Sequence, residues 1–274
     1  MKKTLFIGIL CAIFFSNCNN KKEPDSVSKK TIAVAHRGAW KGKKLPGNSI
    51  AAFREAVNLE CAGSEFDVNM TIDDSLVITH GPFYNKIQIE KATYAELQEF
   101  KLKNGEKLPT LNEFIKAGMY NNKTTLFFCE IKPSIISKER GQIISKKIWN
   151  VFKKNKALKR VVFISFDYEI LKTIVNLDPN AKTQYLNNDR TPDDLESDGI
   201  SGANFRYPVW QKNPDFIKKA KEKGITLNSG TVNDTIIMDW LLKNDFDYIS
   251  SDEPALVIRK AAEYNKPQDL NKKN

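Results

Sequence analysis

Thr125-Leu126-Phe127-Phe128-Cys129-Glu130-Ile131-Lys132 is apolar almost to its end, where a carboxylate and an ammonium appear two residues apart. A run of this kind reads as a strand buried on both faces, which is the habit of parallel sheets. The stretch Gln142–Lys156 follows, with Ile144, Ile148 and Phe152 at helical spacing and lysines on the other face. Arg160–Phe166, again β-branched and aromatic, then repeats the strand pattern. Strand, helix, strand in that order is a βαβ unit.

The same alternation extends in both directions. Strands are expected at Ile32–His36, Ser64–Val68, Lys182–Leu186, Gly202–Phe205, Thr226–Thr231 and Tyr248–Ser251, which makes eight with the two above. Between them, Ile50, Phe53 and Val57, Ile170 and Ile174, Phe216 and Ala220, Ile237 and Leu241, and finally Leu256 mark helical faces. Eight such units within residues 31–266 fit a (β/α)8 TIM barrel, a fold of about 250 residues. A doubly wound open sheet is the alternative, and it is disfavoured because no Gly-rich phosphate loop follows the first strand. Ser75–His80 alternates like one extra strand after the second unit. Pro82–Gly118 then reads as a small insertion with short helices at Thr93–Phe100 and Thr110–Ala117.

Of 274 residues, 43 are Lys or Arg and 33 are Asp or Glu, a formal net charge of +10. The lysines are spread along the chain and are not interleaved with aromatics, so a nucleic acid partner is not expected. Cys61 and Cys129 fall on different strands at unlike heights and are read as unpaired small apolar residues.

The N-terminus has its own logic. Met1-Lys2-Lys3 precedes an apolar run from Leu5 to Phe15, shorter than the roughly 20 residues that span a bilayer, so residues 1–18 read as an export signal. Ser16-Asn17-Cys18 resembles the lipobox of bacterial lipoproteins, which implies a mature chain beginning at a lipidated Cys18. Residues 19–30 form a polar tether and residues 267–274 a polar tail. The implied localisation is the cell envelope, anchored to membrane through lipid, with the outer membrane facing the periplasm as the expected site.

In a barrel the C-terminal strand ends share one mouth. His36-Arg37 closes the first expected strand, Glu65-Phe66-Asp67 lies toward the end of the second, His80 ends the extra strand and Glu130-Ile131-Lys132 closes the third. These are the chain's two histidines. Carboxylates at i and i+2 share a face. Three carboxylates brought together would repel and raise one another's pKa unless a hard cation took them as oxygen ligands, so one divalent cation, Mg²⁺ or Ca²⁺, is expected at Glu65, Asp67 and Glu130. No Cys/His cluster favours zinc.

The residues also resemble a known family, the glycerophosphodiester phosphodiesterases. The match runs through Ala35-His36-Arg37-Gly38, Pro46-Gly47-Asn48-Ser49, Gly63-Ser64-Glu65-Phe66-Asp67-Val68, His80 and Glu130-Ile131-Lys132-Pro133, then Ser165-Phe166-Asp167, Thr231-Val232-Asn233-Asp234 and Ser251-Asp252-Glu253-Pro254. The resemblance implies a metal-dependent hydrolase that turns a glycerophosphodiester, a small-molecule substrate, into an alcohol and glycerol 3-phosphate. It implies the same three metal ligands, with His36 and His80 as acid and base in unassigned order and Arg37 and Lys132 on the phosphate. Gly47, Gly81 and Gly230 depart from the family pattern, where Glu, Asp and Trp are usual. Two further readings follow: a phosphatidylinositol-phospholipase C-like lipid phosphodiesterase, and a catalytically impaired phosphodiester-binding lipoprotein.

Overall fold

The computed structural model describes residues 32–266. The signal, the tether with Cys18 and the tail all lie outside the described residues, and among those described no helix is long and apolar enough to cross a membrane.

The strands are β1 (Ala33–Ala35), β2 (Gly63–Met70), β3 (Leu76–Ile78), β4 (Phe83–Tyr84), β5 (Ile87–Gln88), β6 (Leu126–Ile131) and β7 (Val161–Ser165). Then come β8 (Thr183–Tyr185), β9 (Gly202–Asn204), β10 (Thr226–Ser229) and β11 (Tyr248–Ser251). Strands β2, β6, β7, β8, β9, β10, β11 and β1 pair in parallel in that order, and β1 pairs with β2 to close the ring. This is the eight-stranded (β/α)8 barrel expected from the alternation. The helices are α1 (Ile50–Asn58), α2 (Tyr94–Gln98), α3 (Leu111–Met119), α4 (Lys138–Lys154), α5 (Tyr168–Leu177) and α6 (Pro192–Ser197). They continue with α7 (Tyr207–Lys212), α8 (Pro214–Glu222), α9 (Thr235–Lys243) and α10 (Pro254–Tyr264).

Alternation along β2 and β6 sorts side chains between two cores. Phe66, Val68, Phe127, Cys129 and Ile131 face the helices and pack with Phe53 and Phe114, the Phe66 and Phe114 rings 4.6 Å apart. Phe128 faces inward and, with Val34, Val162, Ile164 and Tyr248, fills the barrel below the mouth. Gly63 lies on that inward face, where a Cβ would sit 2.4 Å from the Phe128 ring. These five inward side chains are apolar and buried, so Glu65, Asp67 and Glu130, on the same faces, stand on a low-dielectric floor. Cys61 and Cys129 are buried and unpaired, as expected.

Two differences from the sequence reading have physical causes. The insertion is shorter than Pro82–Gly118, because Leu111, Phe114 and Ile115 of α3 pack into the main core, making α3 a helix of the outer ring. What projects is the β4–β5 hairpin, α2 and the loop after it, over a small separate core of Val77, Ile89, Leu97 and Leu108. Helices α6 and α7 carried no apolar repeat long enough to see. Yet α6 has a readable start, Thr191 as N-cap with Pro192 in the first turn and Asp194 completing a capping box.

Candidate active site

The extra strand explains how two histidines reach one place. The lower half of β2 pairs with β1, Ala35 opposite Ser64, and its upper half pairs antiparallel with β3, Val68 opposite Ile78. Strand β1 runs up and β3 runs down along one edge of β2, so the residues that end them, His36 and His80, meet beside Glu65 and Phe66. The pairing continues past β3, with the Thr79 N–H donating to the Asp67 carbonyl at 3.0 Å. Both histidines line one cavity of about 530 Å³ at the barrel mouth, together with Arg37, Glu65, Glu130 and Lys132.

His36 is held from behind. Its Nδ1 lies 2.7 Å from Asp252 Oδ1, and Asp252 accepts a second hydrogen bond from Asn233 Nδ2 at 2.8 Å. Burial alone would raise the Asp252 carboxyl, but the hydrogen bonds from His36 and Asn233 outweigh it and bring it down to about 2. An ionised Asp252 accepts the Nδ1 proton and leaves His36 Nε2 toward the cavity, 4.0 Å from Glu65 Oε2. His80 is held by backbone: Asn69 Nδ2 donates to the carbonyls of Thr79 and Gly81, at 2.7 and 3.1 Å on either side of it. Gly81 has φ +78° and nothing within 4 Å of a Cβ. The Asn69 clamp thus orients His80 without the carboxylate usual at that position. Burial, reinforced by Arg37, Lys132 and His36, outweighs Asp67 and pushes His80 below its ordinary value.

The three carboxylates come together as expected. Asp67 and Glu130 are cross-strand partners, Glu65 lies two residues below, and their oxygens fall within 4.8 Å of one another. Burial and the two neighbouring carboxylates raise Glu65 well above the usual range, and burial and Asp67 raise Glu130 to about 7. Asp67 moves the other way: burial works against it, but Lys132 and Asn48 outweigh burial and lower it. One ammonium, Lys132, pairs with both Asp67, at 2.6 Å, and Glu130. Two buried carboxylates thus share it while Glu65 Oε1 has no hydrogen-bond partner. An all-oxygen set, buried and one cation short, fits a hard divalent ion. Raised pKa values work against the folded state as pH rises. The contribution of Glu65 and Glu130 is present below about 4.5 and lost as Glu130 ionises near 7, whereas Asp67, lowered, does not share in that loss. Without cation, melting temperature should fall between about pH 5 and pH 8, and millimolar Mg²⁺ or Ca²⁺ should raise it more at the higher pH. Equal cation effects at both pH values, read by thermal unfolding, would contradict the site.

Arg37 sits in the left-handed region, φ 55°, and its N–H donates to Glu65 Oε2 at 2.7 Å. Its Nε is buried without a partner. The turn that follows needs Gly38, since φ is +82° and a Cβ would lie 2.6 Å from the Ala52 backbone. The Asn48 carboxamide donates to Asp67 Oδ2 at 2.7 Å and accepts from the Asp67 N–H at 3.1 Å. Asn48, Asn69, Asn233 and Asp252 are absent from the residues singled out from sequence. For three of them the signal lay in the quoted stretches, while Asn69 had none, since its partners are backbone carbonyls ten and twelve residues on.

Residues 36–256 match the sequence model of the glycerophosphoryl diester phosphodiesterase family. The chain belongs to this family. Its membership makes it a phosphoric diester hydrolase of the glycerophosphodiester class. A glycerophosphodiester phosphodiesterase from Parabacteroides distasonis has a similar structure, with TM-score 0.82, 33% identity, and 85% of this chain and 98% of that one covered. In sequence, a glycerophosphodiester phosphodiesterase from Caldanaerobacter subterraneus is 27% identical over 250 residues, covering 84% of this chain and 97% of the relative. An Oleispira antarctica phosphodiesterase, solved with the product sn-glycerol 3-phosphate, shares the fold at TM-score 0.69 and 22% identity, over 85% of this chain and 96% of that one.

Proposed function

We propose that this phosphodiesterase is metal-dependent and works by paired histidines, releasing an alcohol and glycerol 3-phosphate. The observation that carries the reading is one cavity in which His36 and His80 flank a buried trio of carboxylates lacking a second cation. Glu65, Asp67 and Glu130 would hold Mg²⁺ or Ca²⁺, which supplies Lewis-acid stabilisation of the phosphate's developing charge. Arg37 and Lys132 add fixed positive charge at the same phosphate.

The environments of the histidines divide the roles. His80, pushed toward its neutral form, accepts the proton of the substrate's 2-hydroxyl, whose oxygen then attacks phosphorus. His36, held through Nδ1 by ionised Asp252, presents Nε2 to the leaving oxygen and donates a proton to it as the P–O bond breaks. This yields a free alcohol and a cyclic glycerol phosphate. Neutral His36 then takes a proton from water, the hydroxide opens the ring, and protonated His80 returns its proton to the 2-oxygen. Each histidine ends as it began. The glycerol 3-phosphate bound by the Oleispira antarctica phosphodiesterase is consistent with this product. The test is product analysis on glycerophosphodiesters by the soluble form lacking residues 1–18. Glycerol 3-phosphate plus free alcohol is expected, and release of a phosphorylated head group would contradict the reading.

The chain is further proposed to be a lipoprotein of the cell envelope, anchored through Cys18 and facing the periplasm from the outer membrane. What supports this is the apolar run ended by Ser16-Asn17-Cys18 and the polar residues after it. Two acyl chains anchor stably. Cys18→Ser should move the protein from the membrane to the soluble fraction, and unchanged partitioning on fractionation would refute the anchor.

A further inference from the structure

The cavity has two unlike halves. Its carboxylates, Glu65 and Glu130, lie on β2 and β6 with both histidines nearby, whereas the wall contributed by β7 to β11 and their loops carries a single charged residue, Arg206. The Arg206 side chain is exposed and has no hydrogen bond or ion pair among the described residues. Asn204, 6% exposed, also lines this cavity, and its Oδ1 is buried without a hydrogen-bond partner. A buried acceptor left unsatisfied is unfavourable, so a ligand group that bonds to it binds more tightly. Gly230 lies beside it: a Cβ there would meet Ser250 Cβ at 2.8 Å, closer than real Cβ contacts allow, and would lie 3.6 Å from Asn204 Oδ1, so residue 230 puts no side chain against Asn204.

From these observations we infer that this half receives the leaving alcohol, and that the preferred alcohol is a polyol bearing an oxyanion. Asn204 Oδ1 accepts a hydroxyl proton and Arg206 pairs with the anion, in bidentate fashion where a phosphate or carboxylate allows it. A quaternary or primary ammonium head group meets no carboxylate on this wall and faces a guanidinium, so it is selected against. The inference rests on the phosphodiesterase reading above and adds its substrate class. The phosphate and carboxylate sources of the oxyanion share this chemistry and are separable by substrate.

The experiment compares kcat/KM of the soluble chain for four diesters: glycerophosphocholine, glycerophosphoglycerol, glycerophosphoserine and bis(glycerophospho)glycerol. The expected order puts bis(glycerophospho)glycerol first and glycerophosphocholine last, at least about tenfold apart at low salt, with the gap narrowing as salt screens Arg206. Glycerophosphoserine near the top assigns the site to carboxylates as well, and near the bottom to phosphate alone. Arg206→Glu should invert the order through KM, and Asn204→Leu should cost the two polyol substrates alone. Since the Arg206 side chain is exposed and has no partner among the described residues, its replacement should leave the fold intact. Turnover of all four diesters at equal efficiency, or a ratio unmoved by Arg206→Glu, overturns the inference and leaves the phosphodiesterase reading standing. No turnover of any diester overturns both.

Discussion

Glu65→Gln should lower turnover by about a thousandfold, the upper end for removing one electrostatic stabiliser, and at the same time leave the cation-free protein as stable or more stable. The two effects have one origin. Burial and the repulsion of Asp67 and Glu130 raise Glu65 well above its ordinary value, so an ionised Glu65 is unfavourable in the fold unless a cation joins it. Gln keeps the shape and can still accept the Arg37 N–H, while removing the charge that holds the ion. Thermal unfolding without cation at about pH 8 should therefore give an equal or higher melting temperature. Lost stability alongside lost activity would mean that Glu65 is a structural residue. Asp67→Asn is expected to behave differently: Asp67 is paired with Lys132 and bonded to Asn48, so its loss should cost stability as well as rate.

His36→Ala and His80→Ala should each lower kcat by at least about a hundredfold, with little change in cation affinity. Their roles separate on an activated substrate. A nitrophenyl leaving group needs no proton, so His36→Ala should regain a first-turnover burst of nitrophenol, with opening of the cyclic phosphate still slow, and His80→Ala should show none. The reverse pattern would exchange acid and base, and rescue of neither would remove proton transfer from the leaving group as a slow step. Asp252→Asn acts through His36 by weakening the hold on its Nδ1–H. It should lower kcat with KM little changed, and the loss should shrink on the nitrophenyl substrate, an effect that a merely structural contact would not produce.

How far the sequence carried this account follows from what kinds of contact are local. The barrel was legible because apolar periodicity survives along each βα unit, and Glu65, Asp67 and Glu130 because a charge inside a buried strand is conspicuous. Asp252, fixed against His36 from 216 residues away, is half-buried in the turn before α10 and looks in sequence like any helix-preceding acid. The short helix α7 and the placement of α3 in the outer ring depended on tertiary packing that periodicity over six to nine residues cannot express. The role of β3 was hidden for a different reason. An alternating run predicts a strand, but only its register against β2 brings His80 to the end of β1.

The most direct measurement of the central claim takes the chelator-stripped chain lacking residues 1–18 and titrates Mg²⁺ or Ca²⁺ into it, following bound ion by calorimetry and glycerol 3-phosphate release in parallel. Stripped protein should be inactive, and activity should return in step with one cation bound per chain, with no return in Glu65→Gln. Full turnover by the stripped protein, or ion binding that leaves the rate unchanged, would contradict the account.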